Sequence, residues 1–405
     1  MILYQRPYYA LPPPEINKIR HKYHSTSKDA LLELRLKHPT NRFIPLIGLY
    51  RSLQDLSSSM TTLGRFRDGD GKVGDERPDE RLHAPTRSPS LTRSLTRSLT
   101  RFPRQIRTNF LQTSAGTGRI ATDEPNLQCL QKRKVLKFDD ILVDVALRKC
   151  IVAATPGRVI LSADFKHIEF RVMSHLAEDA AMQSIMKQVD SDPFKLLACQ
   201  WKSDEFKTSE EVTPQAREHA KMLCYALLYG MGENRLAAEL RIKPFEAAAT
   251  RRDFLDRFPS MAMWIDREVK SCTENRHVQT LNGRIRWMDD IRNEEDSGAL
   301  AADQRAAVNS VCQGSAADMM KFAMIGIERR LKRDFGDRPP CACLLQIHDE
   351  LLFEVDPGRM REAVVAIKEE MENAWPGLAV PLKVTFKAGP SWGELDELDD
   401  PFNCK

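Results

Sequence analysis

Apolar and polar positions along this chain follow two periods, and the switches between them mark its elements. Val159-Ile160-Leu161-Ser162-Ala163 is a short, nearly unbroken apolar run of the kind a buried strand carries. It stops at Asp164, and a helical pattern takes over from about Ile168. Leu344-Leu345-Gln346-Ile347 and Leu351-Leu352-Phe353-Glu354-Val355 are two more strand-like runs. Only His348-Asp349-Glu350 separates them, which predicts a β-hairpin with acids at its tip. Elsewhere the period is helical. Arg217, Lys221, Tyr225 and Tyr229 recur every four residues, so at a drift of ~40° per step they share one helical face, with Pro214 and Gly230 as start and stop signals. Arg305, Asn309 and Gln313 repeat that spacing. Residues 243–275 predict two amphipathic helices broken near Phe258-Pro259. Asn282-Gly283, between Val278-Gln279-Thr280-Leu281 and Ile285-Arg286-Trp287, predicts a second hairpin.

These elements place charge on stiff platforms. Asp164 and Asp349 both fall at strand ends, and two carboxylates on neighbouring strands repel unless cations lie between them. A pair of Mg2+ ions roughly 3.5–4 Å apart is the usual solution for in-line phosphoryl displacement. The face of Arg217, Lys221, Tyr225 and Tyr229 is half cationic and half aromatic. Its bases can grip a triphosphate, with Lys221 placed to protonate departing pyrophosphate, and its rings can stack on a base and its sugar. Each feature alone has an ordinary explanation, since acids are common in turns and such stripes are common on amphipathic helices. Together they point to nucleotidyl transfer onto DNA.

In order and spacing these three stretches resemble the signature motifs of the family A DNA polymerases. Thr117-Gly118-Arg119-Ile120 with Asp123-Glu124-Pro125-Asn126-Leu127-Gln128 is similar to a further family segment. So is Arg305-x3-Asn309-x3-Gln313-Gly314-x-Ala316-Ala317-Asp318, and the resemblance covers about Phe110 to Leu395. Tyr225-Ala226, the run Leu344 to Leu352 and Ala388-Gly389-Pro390-Ser391-Trp392-Gly393 most resemble the eukaryotic translesion enzymes nu and theta. The short connection from Arg330 to Leu344 makes nu the nearer of the two.

The resemblance implies roles. Asp164 and Asp349, with the carbonyl of Phe165, would hold two Mg2+ ions, for which Mn2+ could substitute, and Glu350 would be a supporting acid. Arg217, Lys221, Tyr225 and His348 would bind the incoming deoxynucleoside triphosphate. Glu169, positioned with Tyr229, would fill the space a ribose 2′-hydroxyl needs. Tyr225, where many bacterial relatives carry Phe, implies tolerance of dideoxynucleotides. Arg305, Asn309 and Gln313, joined by Arg119, would meet the minor-groove acceptors that every base pair offers. His167 and Arg171 would add contacts to primer-template DNA. Two departures stand out: Phe194 in Asp192-Pro193-Phe194 replaces a phosphate-binding His of bacterial relatives, and His167 replaces a usual Gln.

The implied fold is α+β with the right-hand polymerase architecture. An antiparallel-sheet palm would comprise residues 109–177 and 300–395, helical fingers 178–299, and a tail 396–405, with a divergent or truncated helical thumb at residues 1–56. Residues 57–108 are rich in Ser, Thr, Gly, Asp and Arg and repeat Ser-Leu-Thr-Arg three times from Ser90 to Arg101. Such composition cannot bury a core. The segment is expected to be a disordered basic stretch, whether an insertion, part of a divergent thumb or an artefact of the sequence. No proofreading exonuclease motif is found, so an error-tolerant repair or translesion enzyme is expected. The alternative is a DNA-binding remnant with a shortened thumb.

Composition changes this picture little. A net charge of +4 over 405 residues is mild for a DNA-binding protein, although its bases can concentrate along one cleft. Nine cysteines without a CxxC pair argue for a reducing setting and against a disulfide framework. No apolar stretch approaches the ~20 residues that span a bilayer, so no membrane partner is expected. A nuclear monomer, with a mitochondrial setting as the weaker alternative and no repair-protein partner identified, completes the expectation.

Overall fold

The computed structural model describes residues 106–138, 141–188, 191–292 and 297–398. The expectations for residues 1–56, nearly all of 57–108 and most of 396–405 lie outside the described residues. The chain divides into two compact units, Met1–Thr108 with Cys129–Cys150, and Asn109–Gln128 with Ile151–Lys405. In the second unit, β1 (Asn109–Leu111) pairs antiparallel with β2 (Ala121–Asp123). In the described part of the first, β3 (Lys134–Phe138) and β4 (Ile141–Val145) form an antiparallel hairpin.

The second unit is α+β and is organised by a five-stranded sheet in the order β11-β10-β5-β9-β8. Its strands are β5 (Val159–Phe165), β8 (Cys341–Ile347), β9 (Glu350–Val355), β10 (Val384–Ser391) and β11 (Glu394–Glu397), and every pairing is antiparallel. The apolar run predicted to be a buried strand is the central one: Ile160, Leu161, Ala163 and Phe165 are all buried. Consecutive residues point to opposite faces of the sheet and are buried on both, which is why its sequence lacks strict alternation. Gly389 is needed where β10 bulges, because a Cβ there would collide with the carbonyl oxygen of Glu394 on β11. The loop entering β5 is clipped down by buried Glu354, which accepts from the amides of Ala154 (2.6 Å) and Thr155 (3.0 Å) and from the Thr155 hydroxyl (2.6 Å).

Helices α1 (Ile168–Leu176), α8 (Ser297–Phe335) and α9 (Met360–Glu372) pack with this sheet. Val308, Val311, Cys312, Met319, Met320, Ala323, Ile327 and Leu331 form the buried stripe of α8, at the three- and four-residue steps of a core-facing helix. Between α1 and α8 the chain is mainly helical, as its period predicts. It runs through α2 (Ala180–Lys187), α3 (Pro193–Trp201), α4 (Pro214–Leu228), α5 (Glu233–Leu240), α6 (Pro244–Arg257) and α7 (Pro259–Asn275). Prolines open α3, α4, α6 and α7, where the missing N–H costs nothing. The break predicted near Phe258-Pro259 is the junction of α6 and α7. The second hairpin is present as β6 (His277–Gln279) and β7 (Ile285–Trp287), with Gly283 at φ 79° in its turn. Its first strand ends earlier than the sequence suggests, because Thr280 already belongs to the turn, donating its amide to the Arg284 carbonyl (3.0 Å) and accepting from the Gly283 amide (2.8 Å), while its hydroxyl donates to Asp318 (2.7 Å).

Candidate active site

The acids come together because of register. Strands β5 and β9 pair Asp164 with Glu350, and the Phe165 amide donates to the Asp349 carbonyl at 3.0 Å. Directly opposed residues of an antiparallel pair share a face, so Asp164 and Glu350 project together, and Asp349 sits one residue before Glu350. Both turns beside the acids use a left-handed histidine, His167 at φ 58° after β5 and His348 at φ 52° before β9. Histidine is among the residues that tolerate this region. Buried Gln346 ties the second turn by donating to the His348 carbonyl at 2.5 Å, and Gln128 donates to the Gln346 carbonyl at 3.0 Å.

This crowding has electrostatic consequences. Burial, then Glu350 and Asp349, push Asp164 up to about 7 even though its side chain keeps an exposed face, with Lys387 opposing. Burial raises Asp349 against the pull of Arg119. Ser162, two residues along the same face, donates to Glu350 Oε1 at 2.5 Å. Among the described residues no group of three or more His, Cys, Asp or Glu side chains forms a ready-made metal site. The strand ends carry Asp164, Asp349 and Glu350, near enough for the other two acids to raise Asp164. Mg2+ characteristically binds through one or two carboxylates and takes its remaining oxygens from water and substrate phosphates.

Beside the acids, Glu169 in the first turn of α1 is buried with both carboxylate oxygens occupied. The Tyr229 hydroxyl donates to Oε2 at 2.8 Å, and the Arg119 guanidinium donates to Oε1. Burial raises Glu169, while Arg119 and Tyr229 oppose that rise. Arg119 also reaches Asp349 Oδ1 at 3.5 Å. A cavity of about 310 Å³ opens here, lined by Arg119, His167, Ile168, Glu169, Tyr225, Tyr229, His348 and Asp349.

Helix α4 supplies the cationic and aromatic side. Thr213 caps it by accepting from the Ala216 amide at 3.2 Å. Tyr225 and Tyr229 stack with centroids 5.9 Å apart and planes 14° off parallel. Gly230, at φ 57°, ends the helix where a Cβ would strike the side chain of Arg305, so only glycine serves both needs. Arg217 lies over the Phe194 ring at 5.8 Å, donates to Asp192 Oδ2 at 2.6 Å and also pairs with Glu218. Lys221 is less engaged, 39% exposed and 4.0 Å from Glu218. Phe194, which replaces the expected phosphate-binding His, is fully buried against His167 (4.8 Å), Phe170 (5.8 Å) and Tyr225 (6.2 Å). Burial, aided by Arg171 and Lys166, lowers His167 to about 4, so its ring is neutral near pH 7 and offers hydrogen bonds rather than charge.

The expected DNA contacts separate into different environments. Arg171 is not available to DNA: it is 3% exposed and donates to the carbonyls of Lys166 (2.9 Å), Met186 (2.9 Å) and Pro381 (2.7 Å). It is an internal brace, because this position of α1 turns into the protein. Arg119, expected beside the minor-groove donors, is committed to Glu169 and Asp349. Arg305, Asn309 and Gln313 do follow one face of α8 at four-residue steps; Arg305 is exposed, and Asn309 Oδ1 is buried without a hydrogen-bond partner.

A further network was not foreseen. Arg284, in the β6–β7 turn, donates to Asp318 Oδ1 (3.0 Å) and to the carbonyls of Thr117 (2.7 Å) and Gly314 (3.1 Å). Its guanidinium lies so close over Gly118 that a Cβ there would clash. It thereby holds the backbone from which Arg119 projects. The only sequence signal was Asp318 at the end of the Gln313-Gly314-x-Ala316-Ala317-Asp318 run.

Comparison with known proteins agrees with this geometry. The description "DNA polymerase family A" matches residues 82–394. The sequence is 33% identical over 291 residues to DNA polymerase theta of Drosophila melanogaster, covering 71% of this chain and 14% of that protein. It is 33% identical over 373 residues to the thermostable DNA polymerase I of Thermus filiformis, covering 92% of this chain and 38% of that protein. Among solved structures it is similar to the POL domain of Pol1 from M. smegmatis in complex with DNA primer-template and dNTP. The TM-score is 0.76 at 29% identity, over 96% of this chain and 60% of that one. The chain thus spans less than two thirds of the length of each of these relatives. The matched span takes in the paired acid-bearing strands, the Arg-Lys-Tyr-Tyr helix and Glu169 alike, and the chain belongs to DNA polymerase family A.

Proposed function

We propose that this protein is a DNA-directed DNA polymerase that adds deoxynucleotides to a primer 3′-hydroxyl opposite a template. The observation that carries the reading is the β5–β9 register, which pairs Asp164 with Glu350 and bonds the Phe165 amide to the carbonyl of neighbouring Asp349. Asp164, Asp349 and the Phe165 carbonyl would hold the Mg2+ ions, which when bound neutralise charge on the attacking and departing oxygens. The remaining work falls to side chains. Lys221 and Arg217 meet the triphosphate, and the more exposed Lys221 is placed to give a proton to pyrophosphate. Tyr225 stacks beneath the nucleotide, while Glu169, held by Tyr229, occupies the volume of a 2′-hydroxyl. The solved relative bound to primer-template and dNTP supports the same two partners here.

Synthesis without proofreading, in nuclear repair or translesion work, belongs to the same proposal and is supported by the likeness to DNA polymerase theta. Primer extension with Mg2+ tests the core of it, on an intact template, an abasic template and a primer with a mismatched end. The expected result is template-directed extension of all three, with the mismatched end extended rather than trimmed. Folded protein that binds primer-template but adds no nucleotide would favour the alternative, a DNA-binding remnant.

A further inference from the structure

Both oxygens of the Glu169 carboxylate are held, and they are held by different parts of the chain. Tyr229, at the end of α4, takes Oε2 at 2.8 Å, and Arg119, from the segment before β2, takes Oε1. Glu169 itself is only 5% exposed. A buried carboxylate with one oxygen released would have either to bind a proton or to swing towards water, and in both cases its position would cease to be fixed. Arg119 in turn has little freedom. Gly118 before it, at φ 79°, is pinned under the Arg284 guanidinium, and the Thr117 carbonyl accepts from Arg284 at 2.7 Å.

We propose that Arg119 is a positioning residue for sugar selection: by clamping Glu169 from the side opposite Tyr229, it fixes the carboxylate where it excludes a ribose 2′-hydroxyl. The inference rests on the reading of Glu169 as the gate. It gives Arg119 a role distinct from a minor-groove contact. A DNA contact serves deoxy- and ribonucleotides alike, whereas a clamp on the gate acts on their ratio.

The test is the ratio of kcat/KM for a deoxynucleotide to that for the matching ribonucleotide, measured in wild type and in Arg119→Ala, Arg119→Lys, Glu169→Ala and the Arg119→Ala/Glu169→Ala double variant. Primer-template affinity is measured alongside. Arg119→Ala is expected to lower the ratio by about tenfold, the size of a typical coupling between contacting residues. Arg119→Lys, which keeps the charge, should recover part of it. The double variant should discriminate no worse than Glu169→Ala, because the clamp has nothing left to hold. If Glu169→Ala lowers the ratio but the Arg119 variants reduce both substrates equally, the clamp is refuted and Arg119 serves DNA alone. If Glu169→Ala leaves the ratio unchanged, the gate reading itself fails. Should Arg119→Ala not fold, Arg119→Met, which keeps bulk but removes the charge, carries the test: an unchanged ratio in it would overturn the proposal.

Discussion

Asp164 carries the largest electrostatic burden at the candidate site, and without cations it should cost the fold something. Burial, with Glu350 and Asp349 beside it, pushes its carboxyl up to about 7, well above the ordinary carboxylate range. Between the two the folded chain keeps a proton that the unfolded chain gives up, so stability present at low pH is lost as pH rises towards about 7. Asp349 is shifted in the same direction. We therefore expect metal-free Asp164→Asn to melt at a higher temperature than wild type near about pH 8, with the gap closing near about pH 4. Thermal melts in chelator check this, and a gap independent of pH would contradict it. Arg171 makes the opposite case. Its guanidinium satisfies three carbonyls in the interior. Arg171→Ala should destabilise the protein by about 3 kcal/mol, as buried acceptors lose their donor, and denaturant unfolding measures it. The sequence could not separate these two residues. Which way the side chain of Arg171 turns on its helix is set by tertiary packing and not by local pattern, and the same holds for the pairing of Arg119 with Glu169 and Asp349.

Elements were more legible than individual contacts, because period and punctuation are local. The strand ending at Asp164, the acid-tipped hairpin, the four-residue stripe of α4 and the Pro259 break are all present in the structure. What failed was local only in appearance. The hairpin strand expected to reach Leu281 stops at Gln279, since Thr280 and Arg284 close the turn, where their side chains reach Asp318 on α8. Gly230 shows the converse: its role at the end of α4 was readable, but its need to clear Arg305 was not. Gly230→Ala should cost about 1–2 kcal/mol from the left-handed backbone alone. It should also displace Tyr229 and so weaken nucleotide binding more than DNA binding. Wild-type nucleotide KM in a stably folded Gly230→Ala protein would speak against that coupling.

At the scale of the molecule, the charge balance left the partner open, since +4 over 405 residues excludes little. The cationic side chains at the site are few and local, so DNA affinity should come from a modest number of phosphate contacts and fall linearly with the logarithm of salt concentration. Removing Asp349, a proposed metal ligand, should leave that slope unchanged. The family match begins at residue 82, before the Phe110 at which the sequence motifs become recognisable, and one relative aligns over 92% of the chain. Residues 57–108, rich in Ser, Thr, Gly, Asp and Arg, carry too few apolar positions to mark a packed element, which is why that segment was hard to read. The most direct measurement is the single-turnover rate of primer extension in Mg2+ by wild type and Asp349→Ala, each at saturating primer-template, with DNA affinity determined in parallel. The account predicts extension by the wild type and a loss of at least about a thousandfold in the variant at nearly equal DNA affinity, as expected for a group that acts in the chemical step. A variant that extends primers at close to the wild-type rate would contradict it.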